Sequence, residues 1–281
     1  MESSSIRRPI GLHVRLESKL FDVITAAEKM DLSVAQSFLM DEQGGYISYN
    51  SRVIKEFVNA KKDLGFLYFV HAAYWSSLTN VKSKEFLSLC KEAEIALNLE
   101  SQGIVVHVGA TRTKLSASDK AKYVAEGINT LFEEVPDIEI LLENSPHAGR
   151  NFGGDLTDFA YLHGMIEKSQ RVKYCIDTAH AFVYGYNLAN EFEYDKFLKL
   201  SEEIFSKNSI SLLHLNDTQH DCASKIDKHG IPGKGYLQEK ILKNFMNNDL
   251  FKDTPVILEL PGTCSQEESF EILKQVKHWQ D

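Results

Sequence analysis

Eight short apolar runs recur along the chain at intervals of about 35 residues, and this beat limits the possible folds more than any other feature. The runs are Ile10–Val14, Leu32–Phe38, Phe66–Val70, Ile104–Val108, Ile138–Leu142, Val172–Ile176, Ile210–Leu215 and Val256–Leu260. They are rich in Val, Ile, Leu or Phe and lack polar alternation, as strands covered on both faces of a parallel sheet do. Helical patterns lie between them. Ala121, Val124, Ala125, Ile128, Leu131, Phe132 and Val135 follow three- and four-residue steps. Ser265-Gln-Glu-Glu268 is a capping box ahead of Phe270, Leu273 and Val276. Eight strand–helix units with right-handed crossovers close into a (β/α)₈ barrel. The expectation is therefore an α/β chain forming a single TIM barrel over residues 1–281. A doubly wound open sheet is the alternative, but no GxGxxG follows the first run.

Composition removes several classes of function. Four cysteines, none in a CxxC pair, exclude a disulfide scaffold and a thiolate zinc ribbon. No apolar run approaches the roughly 20 residues that span a bilayer. The opening Met1–Arg8 lacks the apolar core of a signal peptide, so an intracellular protein is expected, with no membrane partner. With 31 basic and 40 acidic side chains the formal charge is −9, which disfavours a partner held by bulk positive charge.

In a barrel the loops after the strand C-termini build the active face, so the residues at each run's end are diagnostic. The third run leads to His71, the fourth to His107 and the fifth to Glu143. The sixth ends at Asp177 with His180 three residues on, the seventh carries His214, and the loop after it holds Asp227 and His229. The eighth carries Glu259. A lone histidine in an apolar run is often a structural residue, and a lone acid at a strand end often caps a helix. Six consecutive strands converging imidazoles and carboxylates is a different matter, because burying several carboxylates is costly without cations. Imidazole with carboxylate and no thiolate suits zinc, manganese or iron better than magnesium. Nine donors exceed one tetrahedral zinc and fit two or three ions. Three divalent ions would bring the chain from −9 to about −3 and leave the pocket positive, attractive to phosphate.

At these residues the chain resembles the endonuclease IV family of apurinic/apyrimidinic endonucleases. Cys175-Ile-Asp-Thr-Ala-His-Ala-Phe182 resembles its IDTCHxF signature, and Leu213-His-Leu-Asn-Asp217 its HLND segment. Asp227-Lys-His229 followed by Gly233-Lys-Gly235 resembles DRH…GxG. Gly11-Leu-His-Val14, His71-Ala-Ala-Tyr74 and Leu142-Glu-Asn144 match in order as well. The resemblance implies three Zn²⁺, with Mn²⁺ or Fe²⁺ an option in one position. His71, His107 and Glu143 would hold the first, Glu143 bridging to a second completed by Asp177, His214 and Glu259. His180, Asp227 and His229 would hold the third. It further implies Glu143 and Glu259 as catalytic residues, and attack on phosphorus by a metal-activated hydroxide with the third ion at the leaving 3′ oxygen. The substrate would be double-stranded DNA containing abasic sites, nicked 5′ to the lesion by a monomer, with 3′-blocking fragments also removed.

Tyr74 and Trp75, directly after a ligand, match the family's position for side chains pushed into the duplex. Arg150, in the glycine-rich loop His147–Gly154, is the expected phosphate contact. Three departures stand out. Ala179 replaces the signature cysteine, Lys228 replaces an arginine and loses its bidentate fork, and Gln43 takes the place of an arginine that reaches DNA. His13 reads as a supporting residue, and His147, His163, His220 and His278 as loop or surface residues. Cys90, Cys175, Cys222 and Cys264 read as reduced bystanders. Two other functions use the same barrel: a sugar isomerase or epimerase with one or two divalent ions, and a non-catalytic DNA-binding descendant. His180, Asp227 and His229 discriminate against the first, and the complete donor set against the second.

Overall fold

The computed structural model describes residues 8–40, 45, 47–206 and 208–280; Gln43 lies outside them. Eight parallel strands close in sequence order: β1 Ile10–His13, β2 Val34–Ser37, β3 Leu67–His71, β4 Ile104–His107, β5 Ile140–Glu143, β6 Val172–Asp177, β7 Ile210–His214 and β8 Val256–Leu258. Ile10 opposite Val256 and Leu12 opposite Leu258 seal the last seam. On the other side of β1, against β2, Gly11 is required, because a Cβ at that position would run into the carbonyl oxygen of Val34.

The helices are α1 Phe21–Met30, α2 Ser51–Leu64, α3 Lys84–Asn98, α4 Ala117–Glu134, α5 Thr157–Ala160, α6 Thr178–Tyr184, α7 Glu191–Ile204, α8 Gln238–Met246 and α9 Gln266–Lys277. Ser116 caps α4 by accepting from Asp119 N at 3.1 Å, and the capping box at Ser265 and Glu268 opens α9. The units are less uniform than the sequence beat suggests. One four-residue helix, α5, lies between β5 and β6, whereas α6 and α7 both lie between β6 and β7. The strands do not coincide with their apolar runs: most are shorter, β3 and β5 are shifted toward the run's end, and β6 runs one residue past it. Ile138, for example, is buried but precedes β5. Among the described residues no helix is long and apolar enough to cross a membrane.

Strand side chains alternate between faces, so residues two apart share one. Ile104 and Val106, for instance, belong to the large core between barrel and helices. The barrel's own floor is a separate cluster of Val34, Phe69, Val105, Leu141, Cys175, Leu212 and Ile257, all buried. Two residues further along the chain from each of these stand Gln36, His71, His107, Glu143, Asp177, His214 and Glu259. His13 stands in the same relation to Gly11 on β1. A dry floor therefore carries, one step up, a row that is polar on all eight strands.

Candidate metal centre

Glu143 is the hub of this row. Its Oε2 lies 2.9 Å from His107 Nε2 and 3.2 Å from His71 Nε2, while Oε1 lies 2.9 Å from His214 Nδ1 and 3.4 Å from His180 Nδ1. The two oxygens thus face two different groups of imidazoles. Glu259 Oε2 sits 3.5 Å from both His214 Nδ1 and His229 Nδ1. Asp177 Oδ2 lies 3.8 Å from His214 Nδ1 and 3.6 Å from His229 Nε2. Asp227 Oδ1 lies 3.1 Å from His180 Nε2 and 3.7 Å from His229 Nε2. All nine residues singled out from the sequence come together.

Their donor atoms form overlapping sets, each with atoms within 4.8 Å of one another: His71, His107 and Glu143; Glu143, Asp177, His214 and Glu259; Asp177, His180 and His229; and, crossing the first two, His71, His214 and Glu259. The first two coincide with the expected grouping. The third closes through Asp177, with Asp227 attached to it by way of His180 Nε2. A further set joins Cys175 to Glu143 and His214. Burial pushes the Cys175 thiol up to about 12, so it stays protonated beneath the row, hydrogen-bonded to His214.

Neighbouring acceptors fix which imidazole nitrogen faces the centre. His71 Nδ1 donates to Ala72 O at 2.8 Å, His180 Nδ1 to Asn144 O at 3.0 Å, and His214 Nε2 to Gln36 Oε1 at 3.0 Å. In the neutral imidazole each opposite nitrogen then has its lone pair toward the carboxylates, the arrangement a metal-binding imidazole needs. His229 Nε2 has no hydrogen-bond partner although it is shut off from solvent, and it faces two carboxylates too far for a hydrogen bond. A divalent ion between these groups would satisfy them all, so the residues present fit the metals the family implies.

Electrostatics point the same way. Burial opposes ionisation of Glu143 and Glu259, yet the imidazoles facing them hold both carboxyls well below the usual range. Asp227 is likewise brought down to about 2 against its burial, through His180. Burial disfavours a charge on His180, but Asp177 and Asp227 raise it to about 10. Ionised carboxylates in one buried cluster demand cations, and protons on imidazole or divalent ions meet that demand alike.

Three side chains that a reading of run ends passes over hold the cluster in place. Gln36 donates to Glu259 Oε1 at 2.9 Å while accepting from His214. Asn216 donates to Asp177 Oδ2 at 2.6 Å and Glu259 Oε2 at 3.0 Å. Asp217 is fully buried and accepts from the backbone N–H of Gly233, Gly235 and Leu237, tying down the loop that carries Asp227 and His229. The i+2 step from Val34 would have found Gln36. His13 Nδ1 sits 3.1 Å from Glu259 Oε1, in the supporting role expected of it.

Above the centre opens a cleft of about 900 Å³ lined by Phe38, Tyr74, His220, Asp227, Lys228 and Glu259, among others. Tyr74, in its wall, and the adjacent Trp75 are 67% and 47% exposed, and their loop is anchored by buried Glu92, which accepts from Ala73 N at 2.8 Å. Arg150 stands apart from the cleft lining, its Nη1 donating to Arg112 O at 3.2 Å.

Known proteins resemble this chain in sequence and in fold. The family described as a xylose isomerase-like TIM barrel matches residues 24–279. A probable endonuclease 4 of Halothermothrix orenii is 28% identical over 275 residues, which are 95% of this chain and 99% of the relative. A probable endonuclease 4 of Halobacterium salinarum is 31% identical over 205 residues, 71% of this chain and 72% of the relative. The crystal structure of endonuclease IV from Thermus thermophilus superimposes with a TM-score of 0.83 at 22% identity, covering 97% of this chain and 98% of that one.

Proposed function

We propose that this chain, which belongs to the endonuclease IV family of xylose isomerase-like TIM barrels and is a hydrolase of the nuclease class, is a repair enzyme that hydrolyses the phosphodiester 5′ to abasic sites in double-stranded DNA. It leaves a 3′-hydroxyl and a 5′-deoxyribose phosphate, clears 3′-blocking fragments, and works as an intracellular monomer. The observation that carries this reading is the convergence of five imidazoles and three carboxylates into overlapping donor sets at the barrel mouth, with Asp227 joined to them through His180.

His71, His107 and Glu143 would hold one Zn²⁺; Glu143, Asp177, His214 and Glu259 a second; His180, Asp227 and His229, with Asp177 adjacent, a third. Such ions supply Lewis-acid charge, a water of lowered pKa and a counter-charge for a leaving alkoxide. The chain's own residues do the rest. Glu143 spans two sets with its two oxygens and keeps them at a fixed separation. Gln36 and Asn216 orient the carboxylates and imidazoles that face the scissile phosphate. Exposed Tyr74 and Trp75 enter the duplex where a missing base makes unstacking least costly. Lys228, at the cleft, attracts the backbone as a point charge.

The test uses the protein as purified, without added metal, on a duplex bearing one abasic site. The expected result is a nick 5′ to the lesion with a 3′-hydroxyl end, abolished in Glu143→Gln, and about three equivalents of bound zinc. No cleavage with fewer metals bound would move the reading to a sugar isomerase. No cleavage with three zincs bound would point to a changed nucleic-acid substrate.

A further inference from the structure

We propose that Arg15 is a phosphate-binding residue that grips the DNA backbone beside the metal centre; the proposal rests on the nuclease reading above. Arg15 lies two residues beyond His13, at the rim of the barrel above β1, and is exposed in the wall of the cleft. Among the described residues lining that cleft, the permanent cations are Arg15 and Lys228. Neighbouring sequence makes this matter, because residues 39–50, the stretch after β2 where the family resemblance places a DNA-contacting arginine, contain no Lys or Arg.

The guanidinium is aimed rather than loose. Its Nη2 donates to Leu260 O at 2.5 Å, directly after Glu259, so its position is fixed relative to a residue of the centre. It also rests against Gly262, where an added Cβ would stand 3.3 Å from Nη1 and 3.4 Å from Cζ. None of the described carboxylates is ion-paired with it, which leaves most of its five N–H donors for a ligand. A second hollow of about 500 Å³ leads outward from the cleft and shares His13, Arg15, Leu260 and Gly262 with it. Lys19 and Lys29 line this hollow. Of its two acids, Asp22 is occupied by the backbone N–H groups of Glu17, Ser18 and Lys19. A planar fork backed by glycine, with two lysines in the adjoining hollow, suits the phosphates of one strand.

Steady-state nicking of an abasic duplex by the metal-loaded protein tests this, read as KM and kcat over a range of salt. Arg15→Ala should raise KM about tenfold or more and lower the slope of log KM against log salt by about 0.9, the share of one phosphate contact. Arg15→Lys, keeping the charge without the fork, should fall between the two. Gly262→Ala, which crowds the guanidinium without touching the charge, should raise KM in the same direction. Zinc content should be unaltered in all three. An unchanged KM and salt slope in Arg15→Ala, with the native protein active, would overturn the proposal alone. So would a loss confined to kcat. Failure of the native protein to nick the duplex would overturn the nuclease reading and this proposal together.

Discussion

Replacing Gln36 by leucine separates the metal chemistry of this barrel from its folding. Gln36 is fully buried, and leucine has similar bulk, so the backbone should be preserved. What disappears is one acceptor and one donor amide: the bond from His214 Nε2 at 3.0 Å, the bond to Glu259 Oε1 at 2.9 Å and the contact with His13 Nδ1 at 2.9 Å. Each buried polar group left without its partner costs about 1–3 kcal/mol, so with two such groups the metal-free variant should be about 2–6 kcal/mol less stable. The second consequence is local. Without the Gln36 acceptor, the His214 proton is no longer held on Nε2, and the nitrogen facing Glu143, Asp177 and Glu259 is no longer reserved for a metal. Loss of such an outer partner lowers metal affinity about 10–100-fold, or roughly 1.4–2.8 kcal/mol. His71 and His180 are oriented by backbone carbonyls instead and should be spared. Titration of the native and variant proteins with a competing zinc chelator reads this directly. One equivalent of zinc should be released at about 10–100-fold lower chelator strength while the other two follow the native curve. Release of all three together would mean that Gln36 merely stiffens the barrel, and an unchanged curve would refute its role in orienting His214.

Other consequences are quicker to check. Gly11→Ala should prevent closure of the β1–β2 seam, because the new methyl meets Val34 O, and the variant should be recovered unfolded or insoluble. Ser265→Ala removes half of the α9 capping box at a cost of about 1 kcal/mol, lowering Tm by about 2–4 °C in a melting experiment and leaving nicking unaltered. Tyr74→Ala combined with Trp75→Ala should raise KM for an abasic duplex well beyond its effect on Tm, since both side chains are exposed; equal KM values would rule out insertion. Stripping the metal should lower Tm substantially, as the buried carboxylates then depend on protonated imidazoles alone, and re-addition of zinc should restore it.

The barrel was legible because its strands are buried on both faces, which writes them as unbroken apolar runs, and six of the nine residues, His71, His107, Glu143, Asp177, His214 and Glu259, were legible because they sit at or near the ends of such runs. Gln36 shows where that rule stops. Its run extends over Leu32–Phe38 while the strand is only Val34–Ser37, so the end of the run looked past it. What locates Gln36 is periodicity inside the strand, two residues above the floor residue Val34. The third donor set failed to group as expected for a different reason. Asp227 and His229 lie in the long connection between β7 and α8, where no repeating geometry constrains a side chain, and their placement follows from Asp217 and its bonds to distant N–H groups. Arg15 escaped because a single arginine just past a strand has no pattern, and only its bond to Leu260 and its seat on Gly262 distinguish it. The two-row construction explains how one short chain can carry so much buried charge. Apolar burial in the floor and against the helices stabilises the barrel without help from the row above. That row is then free to be polar on every strand, and its proximity to a dry floor gives its charges the low-dielectric setting in which cations bind tightly.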